Sequence, residues 1–415
     1  MPLRRRLGSI LGLAGLGVIL VATLTPVSDP RGLVLLTRLS CLVCGEQGGA
    51  DVVANLLLFL PLAVGLRLQG ASWVRVVLLS FLLSLTVELL QLRLIPGRDA
   101  SLSDLVSNTV SGAIGATLGS ALPGWVAPSP ARARALLGAG LALAIGLLAL
   151  SAWLLMPLMP EGRLISRWAH EAPGRDVFDG RVRSVLLDGL PMPANGPPPD
   201  SAGLRRRLDA GRFDLEVDVV SGRPLKDRFW IYMFRVPSGG ALTLNQFRRE
   251  AGLAIPARGL RYKLHPVLVT LADAFPDSAG IAVRLSAVER ARRIRLSSSY
   301  QGRERGLDLA LSPGMGWTLV VPFPLAVGIG VRWVTAVFLF LIALPLGYWG
   351  GWCRSVWQAA GLLVVGLFLG LWATEYAAGL PPVHWTEWLA AIAGGTGGWQ
   401  LARLASVCKD RRRNA

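Results

Sequence analysis

Asp51 and Asn55, Glu88 and Gln91, and Asp104 and Asn108 are polar pairs, spaced four, three and four residues apart within apolar stretches. On helices, each pair lies on one face. Arg98 and Asp99 stand between the second pair and the third. A charged side chain at the centre of a membrane helix costs about 2.5–3.5 kcal/mol on insertion scales, so such residues face the bundle interior and pair there. Arg93 or Arg98 would be natural partners for Glu88, Asp99 or Asp104. Together Asp51, Asn55, Glu88, Gln91, Arg98, Asp99, Asp104 and Asn108 predict a polar, ligand-binding pocket. If burial separated the pKa values of Glu88, Asp99 and Asp104, they could act as acid and base in an intramembrane enzyme. No nucleophile elbow, His-Glu-x-x-His or phosphate loop accompanies them. A binding role without catalysis is therefore the first expectation, with no cofactor and no metal.

A structural role fits part of the pattern. Ser101 or Ser103 can cap a helix, with Asp104 favourably near its N-terminus. Capping does not require Glu88, Gln91 and Asn55 on other helices. Gly112, Gly115 and Gly119 form a small-residue stripe that allows close helix approach. Pro61 predicts a kink.

The elements that position these residues are membrane spans. Mean hydropathy is +0.49 and 52% of residues are hydrophobic, high for a soluble domain. Eight runs are long enough to cross a bilayer: Leu7–Leu24, Val52–Leu68, Val76–Leu92, Leu105–Leu122, Ala135–Leu158, Trp333–Trp352, Ser355–Thr374 and Trp388–Leu404. The expected fold class is a polytopic α-helical membrane protein with an inserted all-β sandwich or jelly-roll domain. Its parts are a four-helix membrane domain at 1–125, a fifth span within 126–159, the sandwich at 160–325, three further spans at 326–405 and a basic tail at 406–415.

Charge orients the chain. One alternate set of short segments, with both termini, holds 13 basic residues and a single acid, Asp410; the other set holds 4 basic residues and 7 acids. Basic residues stay cytoplasmic, so both termini are expected inside and 160–325 outside. The net +17 is thus partly topology and does not imply nucleic acid; the expected partners are the lipid bilayer and an envelope lipid or glycan. The first apolar run is long for a signal peptide and lacks a good cleavage site, which favours a retained helix. Cys41 and Cys44, expected outside in "CLVCG", are candidates for a disulfide; a lone C-x-x-C supplies too few ligands for structural zinc.

The ordered pieces Asp51-x-x-x-Asn55-Leu-Leu-Leu-Phe59-x-Pro61-Leu62, Glu88-x-x-Gln91 and Arg98-Asp99-x-Ser101-x-x-Asp104-x-x-x-Asn108-x-x-x-Gly112 resemble the VanZ-like family of bacterial membrane proteins, over roughly residues 7–122. The resemblance implies a plasma-membrane protein with a cell-envelope role linked to low-level teicoplanin resistance. It implies no reaction.

The last three spans echo spans two to four: Pro345 stands opposite Pro61, Glu375 opposite Glu88, Glu387 opposite Asp104 and Gly395 opposite Gly112. Equivalents of Asn55, Gln91, Arg98, Asp99 and Asn108 are missing. Both copies would run in the same orientation. A repeat is compatible with a transporter or flippase, but spans two to four read as apolar below Asn55 and Asn108.

Between spans five and six, 25 basic and 17 acidic residues occupy Pro160–Leu325. "RFDLEVDVV", "FWIYMFRV", "GIAVRLSAV", "RIRLSS" and "WTLVVPF" read as strands, with little helical periodicity. Many short strands with turn-rich links predict two packed sheets. The pattern resembles laminin-G and concanavalin A-like jelly rolls. The basic runs, including Arg290–Arg295, fit a solvated face or contact with anionic headgroups.

Overall fold

The computed structural model describes residues 2–26, 43, 45, 47–95, 100–169, 178–224, 228–236, 239–321 and 329–413. Cys41, Cys44, Arg98 and Asp99 lie outside the described residues. There are two compact units: Met1–Pro128 with Val320–Pro322, and Ser129–Leu319 with Phe323–Ala415.

The first unit is a helical bundle of α1 (Pro2–Leu24), α2 (Gly48–Leu58), α3 (Leu60–Gln69), α4 (Trp73–Leu94) and α5 (Leu102–Val126). Pro61 is the second residue of α3 and has no N–H to continue the ladder, so the second span breaks at Phe59. Gly70, at φ 107°, ends α3 by donating its N–H back to the last turn. Ser72 then caps α4, its hydroxyl accepting the Arg75 N–H at 3.3 Å.

Glycine lets these helices touch. A Cβ on Gly65 would lie 2.5 Å from the Gly12 nitrogen, and one on Gly15 would lie 2.6 Å from the Leu62 nitrogen. On α5, a Cβ at Gly115 would sit 2.5 Å from the Ala63 Cβ, and one at Gly119 would sit 2.7 Å from the Arg67 Cβ. In a bilayer, van der Waals packing of this kind replaces the hydrophobic drive between helices. The chain reverses between successive spans. One end of the bundle therefore gathers the C-termini of α1 and α4 and the N-termini of α2 and α5; this is the polar end.

The second unit begins with α6 (Pro130–Leu155) and continues into a β-sandwich. One sheet has the order β4-β1-β6-β7-β8-β9: β1 (Ile165–Trp168), β4 (Asn195–Gly196), β6 (Arg228–Val236), β7 (Gly239–Phe247), β8 (Glu250–Ile255) and β9 (Val267–Leu271). The other has the order β12-β11-β10-β5-β2-β3: β2 (Arg181–Leu187), β3 (Leu190–Pro191), β5 (Arg212–Val220), β10 (Ala282–Arg290), β11 (Arg293–Tyr300) and β12 (Arg303–Ala310). All pairings are antiparallel. Alternation in β5 buries Phe213, Leu215, Val217 and Val219.

The sandwich carries a short helix, where little helical periodicity is expected, and one expected strand is corrected. "LRRRLD" lies in a short helix, α7 (Ser201–Asp209), whose first turn is capped by the Asp200 carboxylate accepting the Gly203 N–H at 3.0 Å. The described part of "WTLVVPF", Trp317–Val321, is not a strand. Residues Pro313–Leu319 form a 3-10 turn, because Pro313 cannot donate to a ladder and Gly314 and Gly316 offer no side chain to a sheet face.

After the sandwich come α8 (Ile329–Gly351), α9 (Val356–Leu367), a π-turn at Phe368–Ala373, α10 (Thr374–Ala378) and α11 (Trp385–Arg413). α8 continues through Pro345, unlike the broken second span. Among the described residues, six helices are long and apolar enough to cross a membrane. The expected fourth and eighth spans lie in α5 and α11, which are 25 and 29 residues long but outside that set. The chain is a multi-pass helical membrane protein carrying an inserted β-sandwich.

Candidate functional site

Glu88, Gln91 and Asn108 are buried at the polar end of the first unit. Each bonds to another element. Glu88 Oε2 accepts the Ser101 backbone N–H at 2.6 Å, just ahead of α5. Gln91 Nε2 donates to the Thr23 carbonyl in the last turn of α1 at 2.9 Å. Asn108 Nδ2 donates to Ser84 Oγ on α4 at 3.0 Å. Ser101 is the N-cap residue of α5, but its hydroxyl makes no capping bond. A carboxylate on α4 instead receives its N–H.

Asp104 and Asn55 are half-buried and Asp51 is exposed. Asp51 and Asn55 lie in the first two turns of α2, and Asp104 in the first turn of α5. α2 and α5 pack with their N-termini at the same end, and Ser111 Oγ donates to the Leu56 carbonyl at 2.6 Å. Asp51 is five residues before Leu56 and Asp104 seven before Ser111. At about 1.5 Å per residue, the two carboxylates start within roughly one turn of the same depth. Asn108, 2% exposed, keeps its Oδ1 without a hydrogen-bond partner.

The polar character also reaches further down than the sequence suggested. Ser80, Ser84, Ser107 and Ser111 are buried below or beside Asn108. Hydroxyls on a helix return bonds to their own backbone, as Ser107 Oγ does to the Ser103 carbonyl at 2.8 Å. Ser80, Ser84 and Ser107 carry little signal in the sequence because small Ser residues barely interrupt an apolar run.

The second unit holds buried polar contacts of its own. Glu375 accepts the Val383 N–H at 2.7 Å. Glu387, in the first turn of α11 and 2% exposed, accepts the Ser312 hydroxyl at 2.8 Å. Trp317 Nε1 donates to Thr335 Oγ1 on α8 at 3.1 Å, and Ser151 on α6 donates its hydroxyl to the Pro313 carbonyl.

In the sandwich, Arg292 donates to Glu289 at 2.6 Å and to the Pro256 carbonyl at 2.9 Å, with both side chains 2% exposed. Burial pushes the Glu289 carboxyl up and the Arg292 guanidinium down from their ordinary values, against their mutual attraction. Arg292 belongs to the run Arg290–Arg295, for which a solvated face is expected, yet its side chain is buried. Among the described residues, no group of three or more His, Cys, Asp or Glu could hold a metal ion.

The arrangement is that of a polytopic membrane protein with polar groups from several helices drawn to one end of a bundle. Residues 16–122 match the family model VanZ/LLP1, about a quarter of the chain, so the first unit contains a VanZ-like domain. No curated protein matches the chain, and no solved structure does.

Proposed function

We propose that the chain is a non-enzymatic cell-envelope protein of the VanZ-like type, in which the polar end of the first unit binds a polar lipid head or envelope precursor. On this reading the polar end faces the extracytoplasmic side, both termini are cytoplasmic, and the sandwich stands outside the membrane as a recognition module. The distribution of basic residues supports that orientation. The supporting observation for the site is the meeting of Glu88 with the start of α5, Gln91 with the end of α1 and Asn108 with Ser84 on α4, beside Asp51, Asn55 and Asp104.

The family link suggests the phenotype: reduced susceptibility to a glycopeptide such as teicoplanin in a bacterium expressing the chain. Asp104→Ala and Asn55→Ala should abolish that phenotype while membrane levels stay equal to wild type. Loss of phenotype in strict proportion to loss of protein would instead assign these residues to folding alone.

A further inference from the structure

The contacts inside the two units follow one register. In the first, Ser111 on α5 bonds the carbonyl of Leu56, five residues before Pro61. In the second, a Cβ on Gly394 of α11 would strike the carbonyl of Phe340, five before Pro345. Gly115 lies against the Leu60 carbonyl, at 3.2 Å from an added Cβ; Gly398 lies against the Leu344 carbonyl. Each of these carbonyls belongs to the residue before the proline. Gly119 meets Arg67, and Ala402 meets Gly351, each partner being six residues after its proline.

Ser111, Gly115 and Gly119 are thus spaced as Gly394, Gly398 and Ala402 are. The first helices agree as well. An added Cβ at Gly15 meets Leu62 and one at Gly140 on α6 meets Leu346, each leucine directly following the proline. At the polar end, Glu88 holds the N–H ahead of α5, as Glu375 holds the N–H ahead of α11. The fifth span is therefore the first helix of a second copy, and the sandwich is inserted in that copy's first interhelical loop.

This register places Asp51 at Thr335, Asn55 at Leu339 and Asp104 at Glu387. Those three residues of the second copy touch the turn Ser312–Leu319. Ser312 and Trp317 donate to Glu387 and Thr335. A Cβ on Gly314 would lie 2.7 Å from Glu387 Oε2, 2.8 Å from Thr335 Cγ2 and 3.1 Å from Leu339 Cδ1. In the second copy the position is filled by the chain itself. The walls accept hydrogen bonds, and the occupant supplies O–H and N–H donors.

We infer that the membrane helices form two copies of one four-helix unit, the second occupied at its polar end by the chain's own Ser312–Leu319. In the first copy, Asp51, Asn55 and Asp104 bind a hydroxyl-rich headgroup at the equivalent position. The inference rests on the binding role proposed above and names its ligand class. Carboxylates at two of the wall positions are stronger acceptors than the threonine of the second copy, and each has lone pairs for more than one donor. The orphan Asn108 Oδ1, one turn below Asp104, is a further acceptor. The chemistry fits a glycosylated lipid head or a free sugar.

The test is native mass spectrometry of the full-length protein released from nanodiscs of phosphatidylcholine doped with monoglucosyl diacylglycerol, with free glucose as a competitor. Wild type should retain the glycolipid in preference to phosphatidylcholine. Competition by glucose would place recognition in the sugar itself; retention without competition would place it in the lipid-borne head. Either outcome supports the inference.

The double variant Asp51→Thr/Asn55→Leu imports the residues the second copy carries and should cost about tenfold in retention, the loss of one or two charge-assisted hydrogen bonds. Glu387→Gln should leave retention unchanged. No glycolipid preference in wild type, an unaffected double variant, or equal loss in Glu387→Gln would overturn the inference. If retention fails while Asp104→Ala still abolishes glycopeptide resistance, only the ligand class is wrong.

Discussion

The Glu88 carboxylate receives the backbone N–H of Ser101 at 2.6 Å, thirteen residues further along the chain. A side chain of one span thereby fixes where the next span begins. Glu88→Ala removes the carboxylate that accepts that N–H and should destabilise the bundle by about 1–3 kcal/mol, the cost of a part-buried donor left unpaired. Glu88→Gln retains an amide oxygen at the same place and should cost less. Melting of the full-length protein in detergent would rank the two variants.

The glycine contacts make a steric prediction. Gly115→Val forces a side chain into Ala63 and the Leu60 carbonyl, whereas a Cβ on Gly146 meets nothing within 4 Å. Gly115→Val should sharply reduce folded protein in membranes, and Gly146→Ala should leave it unchanged. Fluorescence-detected gel filtration would compare them.

Breaking the buried Glu289–Arg292 pair should be costly. Arg292→Met leaves a buried carboxylate without its cation, worth about 3–5 kcal/mol, while the paired change Arg292→Met/Glu289→Leu should recover much of that loss. Limited proteolysis across a denaturant series would report the sandwich separately from the helices.

Acid should weaken the same domain. Asp218 is held below the usual aspartate range first by its hydrogen bond to Arg284, and Asp308 by its bond to Arg293. A depressed folded pKa gives stability that is complete above the unfolded value and lost as pH falls through the folded one. Arg284→Gln should therefore lower sandwich stability at neutral pH and flatten its dependence below about pH 4, the ordinary aspartate range. Both carboxylates are partly exposed, so the effect should shrink in high salt.

The helices were readable because a membrane span needs little more than an unbroken apolar run. The polar pairs were readable because Glu88 or Asp104 in such a run has few explanations. Other features depend on tertiary neighbours. Ser80 and Ser84 look like ordinary span residues until Gly112 and Asn108 pack on them. "WTLVVPF" has strand composition, yet Trp317 Nε1 finds its acceptor, Thr335, on a helix and the Pro313 carbonyl is held by Ser151. Arg292 sits in a run of surface arginines and turns inward only because a hairpin gives it φ 64° beside Glu289.

The most direct test is an experimental density map of the protein in a nanodisc containing monoglucosyl diacylglycerol. Non-protein density in hydrogen-bonding contact with Asp51, Asn55 and Asp104, together with Ser312–Leu319 seated on Thr335 and Glu387, is the expected result. Residues of the chain itself packed over Asp51, Asn55 and Asp104, with no density for a headgroup, would contradict the binding role.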